Sequence, residues 1–354
     1  MTDAGAPKGE RRRARAGSAR AGSAQAGSAQ AGSAERAGYL RLLSELLARE
    51  PGPDLLALAA TVPSLRAHAT PEAAARYTHV FVLNAYPFAS VFVEPDASID
   101  GAWAGFTRGV LAALGLEPEP GVAADHAAVL LDALALLLQR EAEAGPAELD
   151  AERARHAQRI LLAEHLLPWL PSFLHTVERV DGGLYRAAAG LARQTLVPLA
   201  GALFDAAPAP AAAGASAAAP HHEEEGSDTI LDHLTVPARS GLFLCRADLT
   251  RLGAELDLPV RFGGRRFMLE SLVAAAVQQA SADPLTQGLL RLARQQRAVL
   301  RGWSTDLPLL EALWRPWTRR IDVSLAGLGG CTFGTKGSDY DAPEQVTCGR
   351  AETP

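Results

Sequence analysis

Apolar residues return every three or four positions along most of this chain, the spacing that places side chains on one face of an α-helix. Leu40, Leu43, Leu46 and Leu47 form the first such stripe, which stops near Pro51-Gly52-Pro53, where two prolines and a glycine break a helix. Asp54 to Ala60 starts a second helix. A third is predicted from Pro71 to about Val82, with Thr70 at the N-cap and Pro71 in the first helical position. Trp103, Phe106, Val110 and Leu114 continue the pattern before Gly115. Leu130, Leu134, Leu137 and Leu138 share one face of a helix that opens at Asp125 and closes between Glu141 and Pro146. From Glu152, the stripe Leu162, Leu166, Trp169, Phe173 and Val177 is interrupted by Pro168 and Pro171, which should kink or restart the helix. Leu184 to Leu203 is the next helix, and further ones are predicted near 247–257, 266–280, 284–301 and 306–321. The reading is an all-α protein.

Composition divides the chain. Residues 1–36 repeat an Ala-Gly-Ser-Ala unit with almost nothing to bury, a disordered tail whose repeat is far shorter than the ~20–50 residues of a structural repeat. Residues 37–205 form the first helical domain. An Ala/Pro-rich linker covers 206–228, a second, smaller helical module covers 229–329, and 330–354 is a polar, flexible tail. The 354 residues, 48% of them hydrophobic, suffice for two cores, since domains run to ~100–200 residues. Aromatics at 6% and a dominance of Ala and Leu favour helix over sheet, because unbranched side chains lose little rotamer freedom in a helix.

A formal net charge of -6 provides no general attraction to phosphate backbones or anionic lipid, so nucleic acid and membrane surface start as poor partners, and neither nucleic-acid binding nor membrane insertion is expected. No uninterrupted apolar run reaches the ~18–20 residues that span a bilayer. Arg11-Arg12-Arg13 is followed by small polar residues rather than an apolar core, so it does not read as an export signal. Cys245, Cys331 and Cys348 are too widely spaced for a disulfide framework or a metal knuckle, which points to a reducing, cytoplasmic setting. Lys8 and Lys336 are the only lysines, an Arg bias better ascribed to genome composition than to ligand chemistry.

Three segments stand out chemically. Tyr86-Pro87-Phe88-Ala89-Ser90 is an X-Pro turn that forces Tyr86 out of the helical region and directs aromatics to both sides of a short extended piece, although a connector packed on the core explains it as well. Glu117-Pro118-Glu119-Pro120 leads to Asp125-His126 at the mouth of the Leu-rich helix. Asp125 there is either a simple cap or, with His126 and the acidic stretch, part of a groove for a basic, partly apolar peptide. His165-Leu166-Leu167-Pro168-Trp169 to Phe173 has the plain reading of a kinked core helix around a buried Trp.

Taken in order, with Tyr185 to Leu191 as a fourth element, these segments from about Tyr39 to Leu203 resemble the TorD/DmsD/NarJ family of molybdoenzyme maturation chaperones. The resemblance implies a TorD-like helical bundle domain, followed here by the linker and the smaller helical module. It further implies a cytoplasmic chaperone that binds the apo catalytic subunit of a DMSO-reductase-class molybdoenzyme, or its twin-arginine signal peptide, before cofactor insertion. The residues it marks for client or peptide binding are Tyr86, Ser90, Glu119, Asp125, His126 and Trp169. Ala89 stands where the family commonly has Glu, and Glu119-Pro120 is spaced further from Asp125-His126 than the family's tight form. The alternative is a helical scaffold or regulatory interaction module with no molybdoenzyme client, and a homodimer is compatible with either.

No nucleophile with a partnered base, metal set or phosphate-cradling loop has recognised spacing, so the expectation is a non-enzyme without cofactor or metal. His221, His222, Glu223 to Glu225, Asp228 and His233 lie on the linker, where a metal would be poorly held. Arg261, Arg265 and Arg266 around Gly263-Gly264 could bind an anion, but such clusters are more often solvated loop charges.

Overall fold

A computed structural model describes residues 32–118, 121–144, 149–205 and 230–330. Most of the residues expected as tails and linker lie outside these segments, as do Glu119, Cys331 and Cys348. The helices are α1 (32–48), α2 (Pro53–Thr61), α3 (Pro71–Tyr77), α4 (Ala89–Val93), α5 (Ala102–Ala113), α6 (Ala127–Ala144), α7 (Leu149–Ile160), α8 (Leu170–Val180), α9 (Leu184–Asp205), α10 (Ile230–Thr235), α11 (Pro237–Ser240), α12 (Arg246–Glu255), α13 (Arg265–Gln278), α14 (Ala282–Asp306) and α15 (Glu311–Gly330). Among the described residues there is no strand, and the fold is all-α. The α1 helix begins at 32, inside the segment expected as a tail.

Two helices end in widened π turns rather than in simple stops. Thr78–Val82 extends α3, and the Ala85 amide reaches back five residues to the Val80 carbonyl. Leu161–Leu166 extends α7, with the Leu167 amide bonded to the Leu162 carbonyl. The chain then turns through Leu167–Trp169 and α8 starts with Pro171 in its first turn, the restart that the prolines dictate. The α14 helix continues to Asp306, past the predicted stop near 301, because Trp303 is buried against Trp314 of α15, ring centroids 6.1 Å apart. That packing outweighs the helix-weakening Gly302.

The core is one continuous apolar cluster from Leu40 to Leu328. Leu40, Leu43 and Leu46 of α1, Leu130 and Leu134 of α6, and Phe173 of α8 are buried, and an aromatic file of Trp169, Phe92 and Phe243 runs through it at 5.4 and 4.7 Å between neighbours. Phe243 follows α11, so the C-terminal helices complete the same core. Buried polar links reinforce this. Trp314 Nε1 donates to the Leu167 carbonyl at 2.7 Å, and Asn84 Oδ1 accepts from the Ala247 amide at 2.7 Å. Arg179 of α8 pairs with Asp248 of α12 at 2.8 Å and donates to the Phe243 carbonyl.

Among the described residues, one helix, α9, is long and apolar enough to cross a membrane by length and composition alone, despite its arginines and Pro198. Leu184, Leu191, Leu196, Leu199 and Leu203 are buried against neighbouring helices, so here it is a core helix.

Candidate functional site

The Tyr86 turn and the Asp125-His126 pair are one structure. The Ala127 amide donates to the Pro87 carbonyl at 2.7 Å and the Ala89 amide to the Asp125 carbonyl at 3.1 Å, a small antiparallel bridge between Phe88 and His126. Asp125 Oδ2 accepts the Ser90 amide at 2.8 Å. Asp125 therefore caps α4, a helix 35 residues earlier, rather than the α6 helix that follows it. A five-residue helix has few internal bonds, so an imported carboxylate on its N-terminal amides carries much of its order.

His126 sits just ahead of α6, partly buried, with the Phe88 ring edge-on at 4.8 Å. Its Nδ1 accepts the Ala128 amide at 3.0 Å, which leaves Nε2 to carry the proton in the neutral ring. Burial pushes its pKa down to about 4, so the ring is uncharged near neutrality.

His126 lines a cleft of about 480 Å³ between α1, the end of α5, the loop after it and α6. Leu111, Leu116, Val122, Val129 and Leu136 provide apolar wall, and Glu45, Glu117 and Asp132 stand on it. Glu45 pairs with Arg49 at 2.6 Å, whereas Glu117 and Asp132 are exposed and form no ion pair among the described residues. Arg108 and Arg140 turn their guanidinium groups to carbonyls of the loop, at Val122 and at Leu114 and Gly115, fixing that wall. The result is an apolar concavity with unpaired carboxylates and a neutral imidazole, suited to a segment that combines apolar and basic side chains.

On the other side of α5, Thr107 Oγ1 lies 3.1 Å from His165 Nδ1, and the Phe106 and Trp103 rings pack on the imidazole at 5.2 and 6.0 Å. His165 is fully buried in the π turn, its Nε2 has no partner, and burial lowers its pKa to about 4. The next turn holds Trp169, also fully buried, whose Nε1 donates to the His165 carbonyl at 2.6 Å.

The residues singled out in the sequence thus fall into distinct places. Phe88, Ser90, Asp125 and His126 come together. Ser90, Asp125 and Trp169 are buried and shape the site from beneath; a client reaches none of them in this conformation. Tyr86 turns away from the cleft toward Phe243, 6.4 Å away, so the extended segment does present aromatics to both sides. Glu119 lies outside the described residues. Glu117 belongs to the acidic stretch that the sequence offered as part of a groove, whereas Glu45 and Asp132 were not singled out. An exposed acid on an amphipathic helix looks like any solubilising charge, and only the acidic loop pattern around Glu117 pointed here. Among the described residues, no three His, Cys, Asp or Glu side chains assemble into a metal site. His233 is held by Ser324 at 2.9 Å instead.

Residues 44–175 match the nitrate reductase delta subunit family, a stretch that includes the Tyr86 turn, the cleft and the His165–Phe173 segment. Over 113 residues the chain is 36% identical to chaperone protein TorD of Vibrio cholerae serotype O1, in the Classical Ogawa, M66-2 and El Tor Inaba strains alike. The alignment takes in 31% of this chain, and it spans about half the length of these curated relatives. Over residues 44–175 the chain is thus similar to the TorD/DmsD/NarJ family.

Proposed function

We propose that this chain is a cytoplasmic maturation chaperone, a binding protein rather than an enzyme, that holds the apo catalytic subunit of a DMSO-reductase-class molybdoenzyme before its cofactor is inserted. The segment it grips is basic and partly apolar, as a twin-arginine signal peptide is. The observation that carries this reading is the cleft beside His126. Its apolar wall removes water from aliphatic side chains, and the exposed Glu117 and Asp132 are placed to accept bidentate bonds from guanidinium groups. His126 contributes a neutral polar edge, and Glu119 extends the acidic loop two residues beyond Glu117. Asp125, Ser90 and Trp169 hold the turn and the floor in place.

The test is a titration of a labelled signal peptide carrying paired arginines against the full chain, beside the same peptide with both arginines changed to glutamine. Saturable binding is expected, weakened about tenfold or more by the glutamine peptide or by Glu117→Gln with Asp132→Asn, and falling with salt. Affinity capture from the native host then names the client, which should be a molybdoenzyme subunit lacking its cofactor. Equal binding of both peptides, together with capture of only mature or unrelated proteins, would refute the reading.

A further inference from the structure

A second, unassigned feature lies where the Tyr86 turn meets the C-terminal helices. The Arg265 guanidinium stacks over two rings, 4.7 Å from the Phe243 centroid and 5.9 Å from that of Tyr86. Arg265 is partly exposed as a residue, but its charged end is enclosed, and Nη1 is shut off from solvent with no acceptor. No carboxylate among the described residues pairs with it; the charged side chain that does act on it is a second cation, Arg246. Arg246 in turn lies 5.5 Å from the centroid of Phe262, with its Nε buried and likewise without an acceptor.

An enclosed guanidinium at Arg265 beside Arg246, whose Nε is buried without an acceptor, and no counterion for either among the described residues make an incomplete arrangement. Stacking on aromatic rings offsets part of the cost of burying the charge, but it supplies no acceptor to the N–H groups. An anion would complete the set. Arg265 is also the first residue of α13, which follows Gly264, so the positive end of a 14-residue helix adds to the field. Beside Arg246 opens a cleft of about 310 Å³, distinct from the one at His126 and lined by His79, Leu83, Ala254, Phe262 and Met268. Arg251, on the same cleft, is already engaged with Asp248 at 3.4 Å, so the uncompensated charge belongs to Arg246 and Arg265.

We propose that Arg246 and Arg265 bind the phosphate of a small phosphate monoester whose apolar body fills the cleft beside Phe262. A dianion matches two unpaired cations, and its three terminal oxygens suit forked donors better than the two oxygens of a carboxylate do. Phe262, 79% exposed, leaves the entrance open to solvent, while buried Met268 forms the floor. The site is independent of the client-peptide reading, since it shares no lining residue with the His126 cleft.

The experiment is calorimetric titration of the full chain with phenyl phosphate as the probe, beside inorganic phosphate, benzoate and a phosphate-free glutamate-rich peptide. Phenyl phosphate should bind one to one, about tenfold tighter than inorganic phosphate or benzoate. Arg246→Gln and Arg265→Lys should each weaken it by about tenfold or more while helicity by circular dichroism is unchanged, because lysine keeps the charge but loses the fork. If Arg265→Lys fails to fold, Arg246→Gln alone decides. The proposal is overturned by the absence of saturation at millimolar probe, by undiminished binding to Arg246→Gln, or by equal or tighter binding of inorganic phosphate, benzoate or the acidic peptide.

Discussion

Asp125→Ala separates architecture from contact most sharply. The carboxylate is fully buried, and its Oδ2 accepts the Ser90 amide at 2.8 Å on the N-terminus of α4. Removing it takes the acceptor from a helix N-terminal amide, a loss of about 1 kcal/mol at an ordinary cap that rises to about 1–3 kcal/mol where the stranded amide is buried. The α4 helix also carries Phe92, which links Trp169 to Phe243, so its fraying loosens the core on both sides. The expected loss is about 1–3 kcal/mol, a sizeable fraction of the roughly 5–15 kcal/mol by which domains are stable. Urea unfolding followed by circular dichroism measures it, with Asp125→Asn, which keeps an acceptor oxygen, expected to lose less than Asp125→Ala. Client affinity measured well below the unfolding transition should fall only as far as the turn is disordered. If Asp125→Ala lost under about 0.5 kcal/mol yet abolished client binding, the capping argument would be wrong and Asp125 would be a contact residue.

Three further outcomes follow from the same geometry. His126 and His165 both have folded-state pKa values lowered to about 4, so the unfolded chain binds more protons between pH 6.5 and 4. Their contribution is present above pH 6.5 and is lost as pH falls toward 4, by up to a few kcal/mol each, and a His126→Gln, His165→Gln double variant should flatten that slope in unfolding titrations. Arg179→Met removes the closer and more buried of the two arginines on the Asp248 carboxylate, leaving it the longer Arg251 contact at 3.4 Å, and should cost up to about 3–5 kcal/mol in urea unfolding; changing Asp248 to Leu as well should recover a substantial part of it. At Gly241 φ is +72°, and an added Cβ would meet the Trp317 carbonyl oxygen at 2.7 Å and Ile321 Cγ1 at 2.8 Å. Gly241→Ala should therefore destabilise by about 1–3 kcal/mol, with a lower melting temperature and the same helix content below it.

The sequence by itself determined the helical class and the approximate position of most helices, because apolar periodicity, prolines and glycines act within a few residues of one another. It also carried the family resemblance, since the order of the Tyr86 turn, Asp125-His126 and His165–Phe173 survives without any knowledge of contacts. Only the tertiary structure decided what those residues do. Asp125 capping α4 depends on a partner 35 positions away, and Asn84 capping α12 on one 163 positions away, distances over which no local pattern carries information. The same is true of Trp169: a Trp on a kinked helix can face a client or the core, and it is burial by Phe92 and Phe173 that places it in the core. Asp132 became a candidate only when α1, α5 and α6 closed a cleft beside it, and Arg246 only when folding set its buried Nε near Arg265 without supplying a carboxylate; Glu117 and Arg265 were legible as an acidic and a basic cluster, but not which of those charges would be left without a partner. Pattern records which face of each helix is apolar. Which faces meet, and which charges are left without a partner when they do, is settled by packing the whole chain into one core.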